Sequence, residues 1–220
     1  MLPFVAPFIL YLLLTQIPGE FPELYPGLYA ASVVITGTAA IILLRGTGII
    51  KIHRNVLPGI IVGLAGIVIW ILISRLNLEA QISAYLPEFL KSETRPAFNP
   101  FESIKSSAGQ AGFIAVRLLG LAVLVPVAEE LFWRGYLMRW IISDDWESQK
   151  IGVYTPKSFL LITGLFTLAH PEWFAAAVWC TMINLLLYWK RDLWNCIVAH
   201  GVSNLTLGIY VLATSSWELW

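Results

Sequence analysis

The stretch LAVLVPVAEELFWRGYLMRWII, residues 121–142, opens apolar, then sets Glu129 and Glu130 side by side with Arg134 four residues on. Glu130 and Arg134 are spaced i,i+4 with the glutamate N-terminal, the favourable order for an ion pair on one helix face. Neighbouring residues of a helix with 3.6 residues per turn diverge by about 100°. Glu129 therefore points elsewhere, toward the side of Phe132 and Trp133. The pair accounts for Glu130 and Arg134 but gives no reason for Glu129. A carboxylate taken out of water becomes more basic and can act as a base near neutral pH. Two further polar groups interrupt apolar runs. FTLAH ends on His170, and HGVSN sets His200 and Asn204 i,i+4 on one face.

Each group alone has a structural explanation. A buried histidine is more often a hydrogen-bonded core residue than a reactive one. An i,i+4 Glu–Arg pair is usually structural, and asparagine commonly joins membrane helices. The chain has only three histidines; His53 lies in a basic loop, where solvation accounts for it. Ionisable groups inside a membrane are costly and mark pairing or function. Together the groups are harder to explain as unrelated accidents.

The elements that position them belong to a membrane protein. Of 220 residues, 58% are hydrophobic and 13% charged, with a mean hydropathy of +0.73. That composition lacks the polar surface of a soluble domain. The net charge of zero gives no basic face for nucleic acid. Cys180 and Cys196 lie in apolar runs without ligand spacing and read as buried single thiols. A crossing helix needs about 20 apolar residues, and candidate segments are 2–17, 25–44, 56–74, 112–142, 158–170, 173–189 and 193–213. The first lacks a basic region and a cleavage site and reads as a retained span. The last third of the fourth is polar enough to emerge. The expectation is an all-α polytopic bundle of about seven segments, with a short broken-helix hairpin near His170 whose backbone must be covered by protein or line a wet cavity. Residues 1–220 form one integral membrane domain, 1–111 supplying N-terminal spans and an interfacial loop and 112–213 the catalytic core. Within 75–111, runs such as LEAQISAYLPEFL suit short amphipathic helices. Lys and Arg concentrate in the loops after segments two, four and six, which puts the N-terminus inside. Trp140, Trp146, Trp189, Trp194, Trp217 and Trp220 fall near segment ends, as interfacial tryptophans do.

EELFWR resembles the EExxxR motif of the CAAX-protease and bacteriocin-processing family, the intramembrane endopeptidases that include the Rce1-type prenyl proteases. FTLAH, which begins at Phe166, is similar to its FxxxH motif, and HGVSN to its HxxxN motif. The resemblance covers roughly residues 112–210. The front third resembles a bacterial subgroup labelled CAAX-protease-related and found with exosortase systems. Where many members have glycines after FxxxH, this chain has Ala175, Ala176 and Ala177. The resemblance implies a peptidase in which Glu129 and His170 activate a water, His200 and Asn204 stabilise the oxyanion, and Glu130 and Arg134 brace the helix. It implies no cofactor, a peptide or lipidated protein as substrate, and membrane lipids as surroundings. A bacterial inner-membrane location with the N-terminus cytoplasmic completes the expectation. Two alternatives stay open. A zinc peptidase would use Glu129, His170 and His200 as ligands, although the chain has no HExxH. A non-enzymatic scaffold or immunity factor would use the polar groups only to join helices.

Overall fold

The computed structural model describes residues 1–83, 85 and 97–219, and every regular element among them is helical. Lipid offers no partners for backbone N–H and C=O groups, and a helix satisfies them within one segment. Helices α1 (Leu2–Glu20), α2 (Tyr25–Leu44) and α3 (Leu57–Leu76) come first. Two short helices follow, α4 (Leu78–Ser83) and α5 (Pro100–Ser103). The remainder of the expected amphipathic stretch, with Pro87 and Pro96, lies outside the described residues, as does Trp220. Helix α6 runs from Ser107 to Ile142. Helices α7 (Pro156–Leu168), α8 (Trp173–Lys190) and α9 (Leu193–Thr214) complete the bundle. Among the described residues, α1, Pro22–Leu44, α3, α6 and α9 are long and apolar enough to cross a membrane, and α7 is apolar but short. All seven expected segments coincide with helices.

Several boundaries and surroundings differ from expectation for local reasons. Helix α6 starts at Ser107 rather than 112 because the Ser106 hydroxyl accepts from Gly109 N–H at 3.1 Å. Thr155 starts α7 in the same way through Ser158 N–H. In the last third of α6, Arg134, Met138 and Arg139 are all buried within the protein. Their polar groups are satisfied inside the protein, Arg139 by the carbonyls of Gly135 and Gln149. Trp146 turns inward to pack on Phe4 and Arg139. His53 is not simply solvated; its Nε2 lies 3.0 Å from Asp192 Oδ2.

Helix α9 is held by close backbone approaches on two sides. A Cβ at Gly59 or Gly63 of α3 would lie 2.6 or 2.5 Å from the carbonyl oxygens of Asn195 and Ala199. A Cβ at Gly201 would lie 2.6 Å from the Ala122 oxygen of α6. His200 sits between these two contacts, so the backbone that carries it is fixed by glycine on both sides. Loop 45–56 meets 190–192 through His53–Asp192 and through Asn195 Nδ2 donating to the Asn55 carbonyl. Gly152 packs against Arg191, and the Met1 ammonium lies 3.6 Å from Glu147. The N-terminus and the three Lys/Arg-bearing loops thus share one end of the bundle.

Candidate active site

Helix α6 departs from α geometry on both sides of the glutamates. Gly120–Leu124 and Leu131–Leu137 are π-helical, with Val125 N–H bonded to the Gly120 carbonyl and Met138 N–H to that of Trp133. Such widened turns are frequent at functional sites. Pro126 lies between them and has no N–H for a carbonyl of the preceding turn. The Leu121 carbonyl accepts instead from Asn204 Nδ2 at 2.9 Å. Asn204 therefore ties α9 to α6, and the second Nδ2 hydrogen is left for another acceptor.

Glu129 and Glu130 end the α-helical stretch Val125–Glu130 and have different surroundings. Glu129 is half-buried, whereas Glu130 and Arg134 are completely buried. One oxygen of Glu130, Oε1, accepts from Arg134 Nη1 at 3.3 Å and from His200 Nδ1 at 2.8 Å. Arg134 also donates from Nε to Asn184 Oδ1 at 3.1 Å and from Nη2 to Cys180 Sγ at 3.2 Å. A low-dielectric interior strengthens such bonds and penalises any member left unsatisfied. Glu130 does more than brace α6, since it also binds a histidine 70 positions away. A carboxylate only accepts, so His200 carries hydrogen on Nδ1 and turns Nε2 outward from Glu130.

His170 follows α7 in the short turn before α8. Its Nδ1 lies 2.8 Å from the Phe166 carbonyl, which can only accept, so Nε2 is the ring's acceptor nitrogen. The imidazole stacks on the Phe166 ring with centroids 4.4 Å apart, and Trp70 of α3 meets its edge. Phe166 in turn lies 5.2 Å from the Arg134 guanidinium and packs against Trp133. The three motifs are thus joined through a continuous set of contacts: His200, Glu130, Arg134, Phe166, His170. The hairpin backbone is covered from α4, where Glu79 Oε1 accepts from Phe174 N–H at 3.0 Å and caps α8. Among the described residues, three buried polar atoms along this junction make no hydrogen bond: Glu130 Oε2, Trp133 Nε1 and Thr167 Oγ1.

Sequence reasoning missed Asn184 and Cys180 of α8. The signal was there, because Asn184 is an amide inside the apolar run WFAAAVWCTMINLLLYWK. Cys180 and Cys196 are both buried free thiols, as expected. Among the described residues no group of three His, Cys, Asp or Glu side chains is placed to hold a metal ion.

Residues 111–206 match the family model described as Rce1-like, type II CAAX prenyl endopeptidase Rce1-like. The matched stretch contains all three motifs and is consistent with the family resemblance they carry. No curated protein and no solved structure matches the chain.

Proposed function

We propose that this integral membrane protein, whose residues 111–206 match the Rce1-like CAAX endopeptidase model, is a glutamate-type intramembrane endopeptidase. Glu129 takes a proton from a water held between it and His170 as the water attacks the scissile carbonyl, and it returns that proton to the leaving amine as the C–N bond breaks. Asn204 steadies the oxyanion through its second Nδ2 hydrogen. His200 does so through Nε2 when the ring holds two hydrogens, with Nδ1–H kept on Glu130. A donor aimed at the oxyanion in a dry site is worth about 10²–10³ in turnover. The supporting observation is the junction in which Glu130, next to Glu129, binds His200 and Arg134 while Arg134 faces the ring beneath His170. This mechanism needs no metal.

The substrate is a peptide bond near the C-terminus of a membrane-associated or lipidated protein. The chain acts as one membrane domain, residues 112–213 forming the catalytic core, in a bacterial inner membrane. Its basic loops and N-terminus face the cytoplasm. The test is cleavage of a farnesylated C-terminal peptide by purified Glu129→Gln and His170→Ala proteins. Both are expected to insert normally and to cleave nothing. A variant that keeps more than about a tenth of the wild-type rate removes its residue from the mechanism.

A further inference from the structure

We propose that Asn184 of α8 is a positioning residue for this reaction: through Arg134 and Glu130 it sets which ring nitrogen of His200 carries hydrogen. The proposal rests on the role of His200 given above, although its test does not depend on activity. Arginine has donors only, so the amide oxygen of Asn184 must face Arg134 Nε, at 3.1 Å. The amide nitrogen then faces Thr163 Oγ1 at 3.3 Å and Cys180 Sγ at 3.6 Å. Thr163 lies on α7, so Asn184 also ties α8 to α7. Both Asn184 and Arg134 are wholly buried, and water cannot replace a lost partner without a change in packing.

The coupling is specific because one carboxylate oxygen serves two donors. Glu130 Oε1 takes both Arg134 Nη1 and His200 Nδ1. A guanidinium released from Asn184 can turn, and the carboxylate that follows it leaves Nδ1. The imidazole then has no acceptor holding hydrogen on that nitrogen. His170 offers an internal control, because the Phe166 carbonyl fixes its Nδ1–H independently of Asn184.

The experiment uses full-length protein with ¹⁵N-labelled histidine in lipid nanodiscs, recorded at about pH 9, where an ordinary imidazole carries one hydrogen. The chain's three histidines give three resolvable rings. In wild type, His200 and His170 should both report Nδ1–H. Asn184→Leu, and Asn184→Ser as a smaller and still polar second variant, should raise the Nε2–H form of His200 severalfold and leave His170 unchanged. Asn184→Asp keeps an acceptor for Arg134 Nε and should restore the wild-type His200 signal. In the peptide assay, Asn184→Leu should lower kcat with KM unchanged, because Glu130 no longer steadies the doubly hydrogenated His200 ring that serves the oxyanion. Wild-type His200 signals in folded Asn184→Leu or Asn184→Ser would overturn the proposal. A shifted tautomer in a protein whose wild type cleaves no peptide would uphold the relay and refute only the peptidase reading.

Discussion

The two halves of α6 bury charge in contrasting ways. Its N-terminal half packs on α1 and α2 in a core of Tyr29, Val33, Ala40, Phe113 and Leu124. Arg117 there donates to Tyr25 Oη at 3.0 Å and lies 4.5 Å from the Tyr29 ring centroid. Its C-terminal half faces α7, α8 and α9, where Arg134 meets a carboxylate, an amide and a thiol. The helix starts differ as well. Helices α1, α2 and α3 have no side-chain cap, whereas α6, α7 and α9 are capped by Ser106, Thr155 and Asp192. Aromatic packing seats both halves, Phe8 of α1 meeting Phe132 and Trp133, and the half that carries the motifs adds a buried set of directional bonds around Arg134. Chemistry that depends on a tautomer and an aligned carboxylate needs such bonds.

Removing the central cation is the strongest way to break this contrast. Arg134→Met leaves Glu130 buried without its guanidinium partner, held by His200 alone, and should cost about 3–5 kcal/mol. Tyr25→Phe removes one hydrogen bond in the front half and should cost about 1 kcal/mol. Thermal unfolding in detergent measures both, and equal losses would erase the distinction. The glycine contacts sharpen it at intermediate size. Gly201→Ala drives a methyl against the Ala122 backbone oxygen, with a Cβ distance of 2.6 Å, and should cost about 1–3 kcal/mol. Gly120→Ala meets only the side chains of Tyr29 and Val33, which can turn aside, and should cost less in the same assay.

The smallest effect is expected at the α9 cap. Partial burial opposes ionisation of Asp192. Hydrogen bonds from the Asn195 side chain and backbone, then from His53 and Trp194, outweigh it and hold the carboxyl below its ordinary 3.8. A lowered folded value means that the ionised cap stabilises the protein above the unfolded pKa of about 3.9. That contribution is lost as pH falls through the folded value. Asp192→Ala should cost about 1 kcal/mol at neutral pH, and the difference from wild type should shrink as pH falls below the unfolded pKa and through the lower folded value. Unfolding curves across that range check it, and a difference that persists undiminished would assign the cost to packing instead.

Helix positions were legible because long apolar runs are the signature of membrane helices. The Glu130–Arg134 pair was legible because its spacing is local. What escaped the sequence depends on residues far apart in it. His200 reaches Glu130 across 70 positions, and Glu79 caps α8 across 95. At the first π-helical turn, the Leu121 carbonyl beside Pro126 takes its partner from Asn204, 83 positions away. His53 was read as a solvated loop residue because Asp192 lies 139 positions away. Trp146 packs on Phe4, a partner that nothing local announces.

Glutamate-type hydrolysis without a metal is tested most directly by dialysis of the purified protein against a strong chelator, followed by elemental analysis and cleavage of the prenylated peptide. The expected result is undiminished activity with far less than one zinc per chain. His200→Ala and Asn204→Ala should be slowed about 10²–10³ with unchanged metal content. Activity that disappears on chelation and returns with added zinc, at about one zinc per active chain, would contradict it.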